Sequence, residues 1–190
     1  MNKFILLLVL ALIYSTFPGL SYGQEEAQDS VVIWQAPPGL LEGMNREMPS
    51  FELIMLDGKT SVHSQDFKGK ILILDFWATW CSPCIAAFPS MQTLADLYAE
   101  HPEVAFLIVN TSWDNSLDEA KAFMLDHGYT FPMAYDERGT VVSQLGIFEI
   151  PTTFVIDKDG KLQFKHKGFK STVDLIGSLR MQIGYLLNQH

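Results

Sequence analysis

From Ile71 to Trp77 the chain is apolar at every position except Asp75, and a run of that length predicts a strand covered on both faces, central in its sheet. Ile85, Phe88, Met91, Leu94 and Leu97 then recur at helical spacing. Pro83 falls in the first turn, where its missing N–H does no harm, so a helix follows the strand directly. Val104–Val109 reads as the next strand. Leu117, Ala120, Phe123, Met124 and His127 again keep helical spacing and end at Gly128, a C-terminal stop. Met133–Tyr135 is a short strand. Thr152–Ile156 and Lys161–His166 alternate around Asp157-Lys158-Asp159-Gly160, a hairpin signature, and Val173, Ile176, Leu179, Ile183 and Leu186 mark a closing helix. Upstream, Phe51–Leu56 and Lys59–Val62 flank Asp57-Gly58, a dipeptide suited to the positive φ of a tight hairpin turn. This order predicts an α/β sandwich built on a mixed sheet. The chain carries no internal repeat, no low-complexity tract and no glycine-rich dinucleotide fingerprint.

Before this pattern begins, Met1, Asn2 and Lys3 precede an apolar run from Phe4 to Ile13, followed by Ser15, Pro18 and Gly19, the layout of a secretory signal. Ser21 and Gly23 suit cleavage after Gly23. The other reading is an uncleaved anchor, but the run falls short of the roughly 20 apolar residues that cross a bilayer. Residues 24–47 include Pro37, Pro38, Gly39 and a β-like run Val31–Trp34, and read as a linker or arm. The expected organisation is therefore a signal peptide at 1–23, an arm at 24–47 and one domain at 48–190. With 190 residues, 48% of them hydrophobic, the chain suffices for one core. Its formal net charge is −9, and loss of a leader holding one lysine and no acid makes it more negative. Such a charge repels phosphate backbones, so nucleic acid is excluded as a partner.

Export favours disulfides, yet the chain has two cysteines only, Cys81 and Cys84. A bridge across so short a loop constrains the unfolded chain by only roughly 2 kcal/mol, so chemistry explains the pair better than stapling. The strand-to-helix junction puts Cys81 at a helix N-terminus with its sulfur expected exposed, where unpaired N–H groups and the helix dipole favour a thiolate. Cys81 is then the nucleophile, and Cys84, one turn on, the more buried resolving thiol. A bland bridge or two free thiols is the alternative. Zinc needs about four ligands, and His63, His101, His127, His166 and His190 show no ligand spacing relative to the pair. Asp75, placed among Ile, Leu, Phe and Trp, should hold a proton near neutrality and suits a general base for Cys84; the alternative is an Asp facing solvent at a strand end.

The segment Asp75-Phe76-Trp77-Ala78-Thr79-Trp80-Cys81-Ser82-Pro83-Cys84 resembles the active-site segment of thioredoxins. With the leader, the N-terminal hairpin and the extra helix–strand unit around 116–135, it is most similar to the TlpA/ResA-like thiol–disulfide oxidoreductases of the bacterial cell envelope. The resemblance covers about Met48 to Leu187. It implies a thioredoxin-like fold: a central mixed β-sheet flanked by helices, with an N-terminal β-hairpin extension and an inserted helix–strand unit. It also implies that Pro89 kinks the active-site helix, that Ile150-Pro151-Thr152 is the cis-proline loop facing the sulfurs, and that the Ile150 backbone pairs with an extended client as an added strand. Gly168 matches a family glycine beside this groove, and Trp80, Pro83, Ile150 and Phe169 would form the docking surface. Two departures stand out. Thioredoxins pair the buried acid with a lysine on a neighbouring strand, but Val104–Val109 holds none; ResA-like proteins place a glutamate where this chain has Ala87.

Proline before Cys84 offers neither proton nor charge to the Cys81 thiolate, whereas a histidine there, as in DsbA-like oxidants, would. Ser82-Pro83 therefore favours a reductase over an oxidase or isomerase. An exported reductant implies a membrane electron donor and clients among protein thiols and disulfides of the envelope, with no cofactor and no metal. Localisation follows the leader: periplasm or cell envelope if exported, secreted or membrane-tethered by the way the leader is processed. A non-catalytic module gripping an extended peptide near Pro151 is the reading from another class. A peroxidase is disfavoured because Ala78 stands where peroxide chemistry wants a threonine. Methionines such as Met91, Met124 and Met181 sit at core-like positions, the acidic cluster at Gln24–Asp29 reads as a solvated arm, and Trp113 and Asp114 either rim the site or form a plain loop.

Overall fold

The computed structural model describes residues 44–168 and 171–189. The leader, residues 24–43 of the arm, and Phe169 lie outside the described residues.

The apolar run is a strand, β4 (Ile71–Trp77), in which every residue is buried. It lies in the middle of an eight-stranded mixed sheet of order β1-β8-β7-β4-β5-β6-β2-β3. Its neighbours are β5 (Val104–Asn110), parallel to it, and β7 (Thr152–Ile156), antiparallel. Beyond β7 comes β8 (Lys161–Lys167), then the two-residue edge strand β1 (Arg46–Glu47), paired with Leu162 and Lys161. On the other side β6 (Met133–Tyr135) runs parallel to β5, and the hairpin of β2 (Glu52–Met55) and β3 (Ser61–His63) joins through β2. The expected helix–strand insertion is thus what the N-terminal hairpin pairs with. The hairpin turn is wider than a two-residue one: Met55 N–H donates to Thr60 O, and Asp57 Oδ1 accepts from the N–H groups of Lys59 and Thr60 around Gly58 at φ 71°.

Alternation along β4 divides the core. Ile71, Ile73 and Trp77 face α1 (Ser82–Leu97), α2 (Leu117–His127) and α4 (Thr172–Leu187), while Leu72, Leu74 and Phe76 face α3 (Thr140–Leu145) and Phe51 and Leu53 of the N-terminal segment. In α1 the buried stripe is Cys84, Ala87, Phe88, Met91, Leu94 and Ala95; Leu97, expected in it, is 60% exposed, and Ile85 is half-buried. The stripe runs at 3.6-residue spacing from Cys84, and Leu97 has drifted off it by the last turn. α2 ends at left-handed Gly128, as expected, and begins at a capping box between Ser116 and Glu119 that the sequence reading did not name. Three elements had no forecast: the edge strand β1, within what was read as the arm; a 3₁₀ turn at Ser64–Phe67; and α3, which is held between two left-handed glycines, Gly139 and Gly146. Among the described residues no helix is long and apolar enough to cross a membrane.

Candidate active site

β4 delivers the chain to the end of the sheet, where Ala78, Thr79 and Trp80 turn it into α1. Cys81 N–H donates to Ala78 O at 3.0 Å, and Ile85 N–H to Cys81 O at 3.0 Å, which makes Cys81 the N-cap of α1. Its Sγ also accepts the Cys84 N–H at 3.3 Å. Pro83 occupies the first turn, and Pro89 lies inside the helix and removes one of its ladder bonds. Cys81 and Cys84 form a disulfide, with Cα atoms 5.3 Å apart.

Both cysteines are buried, at 3% and 1% exposure. The sequence led us to expect an exposed Cys81 sulfur. In the oxidised form the bond draws Sγ back over the first turn of the helix, onto the Cys84 N–H, and the residue packs into the core cluster beneath α1. Trp80 is left outside at 52% exposure, and its indole N–H donates to Trp113 O at 2.7 Å. Trp113 therefore rims the site.

A polar network behind the junction was not foreseen. Asn110, opposite Trp77 in the β4–β5 register, accepts at Oδ1 from Asn115 Nδ2 (2.7 Å) and from Ser112 N–H (3.0 Å). Thr111 N–H donates to Trp77 O, and Thr79 N–H to Asn115 Oδ1 at 3.4 Å. Ser112 and Asp114 take positive φ to make this turn. Loop 111–116 thereby braces the segment that carries Cys81. The signal in the sequence was the polar string after Val109, ending in a helix cap.

Asp75 is 4% exposed and shares the face of β4 with Ile73 and Trp77, the face covered by α1 and α4. It does not face solvent. Burial pushes its carboxyl up from 3.8 to about 7, opposed by a hydrogen bond from Thr153 Oγ1 to Asp75 Oδ1. Ala87, at the position of the family's glutamate, is buried in the same cluster as the two cysteines.

The Ile150–Pro151 bond is cis, as the resemblance implies. Pro151 precedes β7, whose first residue pairs with Phe76, so the loop lies at the same end of the sheet as the junction. Ile150 is half-buried and packs against the cluster holding the cysteines. Gly168 donates its N–H to Pro151 O at 2.8 Å and sits at φ 67°; a Cβ there would meet nothing within 4 Å, so the space beside the loop is open. Glu149 and Lys167 form an ion pair at 3.3 Å on the flank of this loop. Pro83 is exposed on the helix side.

Comparison with known proteins agrees with this geometry. Residues 44–165 match the AhpC/TSA family. The chain is 36% identical over 125 residues to the thiol-disulfide oxidoreductase ResA of Bacillus thuringiensis subsp. konkukian, spanning 66% of this chain and 70% of that one. It is 37% identical over 131 residues to the thioredoxin-like protein YneN of Bacillus subtilis, spanning 68% and 74%. Among solved structures, the pneumococcal exposed lipoprotein thioredoxin Etrx1 of Streptococcus pneumoniae superposes with a TM-score of 0.59 at 30% identity, over 70% of this chain and 99% of that one. A disulfide-bonded Cys-x-x-Cys pair at a helix N-terminus, a cis-proline loop at the same sheet end and these relatives lead to one assignment: the chain belongs to the AhpC/TSA family and is a thioredoxin-fold thiol–disulfide oxidoreductase of the ResA type.

Proposed function

We propose that this protein is an exported reductase of protein disulfides, with Cys81 as nucleophile, Cys84 as resolving thiol and Asp75 as general base. The observation that carries the reading is the Cys81–Cys84 bond closed across the first turn of α1, with a buried, neutral-leaning carboxyl on the sheet face below. In the reduced protein, free N–H groups at the start of α1 favour the Cys81 thiolate. That thiolate attacks a client disulfide, forming a mixed disulfide and expelling one client sulfur as a thiolate. Cys84 gives its proton to Asp75, directly or through water, and attacks Cys81 Sγ; the second client sulfur leaves and takes up a proton. The client thiolate expelled first takes up its proton from water, so the client gains two electrons and two protons in all, and the enzyme is left as the disulfide form described above. A membrane electron donor then restores the dithiol.

Client docking is assigned to Trp80, Pro83, Ile150, Pro151 and Gly168, around the open space beside the cis-proline loop. Export rests on the leader at residues 1–23, ahead of an arm at 24–47 and the domain at 48–190, and is in keeping with the word "exposed" in the name of the pneumococcal relative. The reductive direction rests on Ser82-Pro83 between the cysteines.

The test is the reduction potential of the Cys81–Cys84 couple, equilibrated against glutathione or dithiothreitol and read by Trp fluorescence. A value near or below about −250 mV is expected, and one near about −120 to −180 mV would overturn the reductase in favour of an oxidase or isomerase. Cys81→Ser is expected to abolish insulin disulfide reduction under dithiothreitol; unchanged turnover would leave only a passive peptide-binding module.

A further inference from the structure

Among the described residues no cation is paired with the buried acid, Asp75, and β5, the strand on which thioredoxins would supply a lysine, places Ile108 opposite it. The partner comes from the other side. In the β4–β7 register Asp75 faces Thr153, which is 1% exposed, and the Thr153 hydroxyl donates to Asp75 Oδ1. Thr153 in turn faces His166 of β8, whose Nε2 pairs with Gln182 Oε1 of α4 at 2.8 Å. Polar side chains thus continue across the sheet from the buried carboxyl to a half-buried imidazole.

We propose that Thr153 is the positioning residue for Asp75: its hydroxyl fixes Oδ1 of the carboxyl group and leaves Oδ2 to exchange the proton of Cys84. The proposal rests on the reading of Asp75 as the base for Cys84. A hydroxyl in this place has a different effect from a lysine. It donates one hydrogen bond to the ionised carboxylate and can accept one from the neutral acid, so it holds the group in both protonation states without forcing ionisation. A lysine would form an ion pair and favour the charged form alone. The remaining groups facing Asp75 are few. α4 presents Leu179, Gln182 and Ile183 to this face, with Asp174 and Arg180 turned to solvent; α1 presents Cys84, Ala87, Phe88 and Met91; β5 presents Phe106 and Ile108. Of the titratable groups on these elements, Asp96 of α1 and Asp174, Arg180 and Tyr185 of α4 are exposed, Cys84 is buried on this face, and His166 lies one strand further.

Two readouts separate the hydroxyl from mere packing and from the base role. Asp75 is titrated by carbon NMR in protein labelled at the aspartate carboxyls, with Asp75→Asn to assign the signal, in the parent, Thr153→Val and Thr153→Ser. Loss of a hydrogen bond to a charged acceptor should raise the Asp75 titration midpoint by about one to two pH units in Thr153→Val, while Thr153→Ser stays at the parental value. An unchanged midpoint in Thr153→Val, or equal shifts in both variants, overturns the proposal. Single-turnover cleavage of a fluorescent peptide disulfide by the reduced protein is then followed from pH 6 to 9. Thr153→Val should be slower at pH 7 by about five-fold or more and recover at pH 9. If the midpoint moves but the rate profile does not follow it, Thr153 positions Asp75 and the base reading is the one that fails.

Discussion

Replacing Asp75 by Asn keeps the shape of the side chain and an oxygen able to accept from Thr153 Oγ1, and removes the ionisation. The consequence for stability can be worked from the titration. The carboxyl has an ordinary value of 3.8 in the unfolded chain and about 7 in the folded protein. Below about pH 4 it is neutral in both states and contributes no difference. As pH rises through the interval, the unfolded chain releases the proton while the folded protein retains it, and stability falls by about 1.4 kcal/mol per pH unit. Above the folded value both states are ionised and the loss levels off, at about 4 kcal/mol as an upper bound. Asp75→Asn should therefore be the more stable protein, by about 1 to 2 kcal/mol at pH 5 and by about twice that or more at pH 8. Urea unfolding of the two oxidised proteins at four pH values, followed by Trp fluorescence, measures this. Every other titrating group is common to both and cancels in the difference. A difference that stays flat from pH 5 to pH 8, whatever its sign, refutes the argument that burial holds this carboxyl neutral.

Two further substitutions probe the scaffold beneath the site. Phe88 is 1% exposed and meets the rings of Trp77, Tyr129 and Phe131 at 5.1, 5.2 and 5.4 Å; Phe88→Ala should cost about 3–5 kcal/mol in urea unfolding, and a loss below about 1 would mean the cluster collapses around the gap. Gly128→Ala isolates backbone strain, because φ is 69° and a Cβ would touch nothing within 4 Å; a loss of about 1–2 kcal/mol in the same assay is expected, and a neutral result would show that the left-handed stop of α2 relaxes freely.

The parts of this fold legible in the sequence are those with a long period or a local signal. The run at 71–77, apolar but for Asp75, read as a strand covered twice, and the proline and cysteines after it placed a helix start within a residue. Gly128 bounded the end of α2 for the same reason: caps are local chemistry. What escaped was short or non-local. α3 spans six residues, too few for a period to declare itself; left-handed glycines flank it, and its first turn is capped from outside by Asp136, whose carboxylate accepts the N–H groups of Thr140 and Val142. The partner of Asp75 could be named only once the hairpin register was known, since one residue of slip would turn Thr153 to the opposite face. Trp113 stayed undecided because what matters is its carbonyl, and a main-chain acceptor leaves no trace in residue type. The cis-proline loop came from family resemblance, as nothing in Ile150-Pro151-Thr152 itself separates a cis bond from a trans one.

The strand order has a consequence for how the molecule is completed. Both outermost strands, β1 at one side and β3 at the other, come from the first stretch of the described chain, between Arg46 and His63. Within that stretch the polypeptide passes from one rim of the sheet to the other, and each end finds its partner much later in sequence: Arg46 on Leu162, Ile54 on Tyr135. A chain emerging from its N-terminus can close the β2–β3 hairpin at once, but must carry that hairpin undocked until Tyr135 is made and β1 unpaired until Leu162 is made. Only then is it buckled across the finished sheet like a strap, ending each rim in a strand of two or three residues, too short for copies to adhere strand to strand.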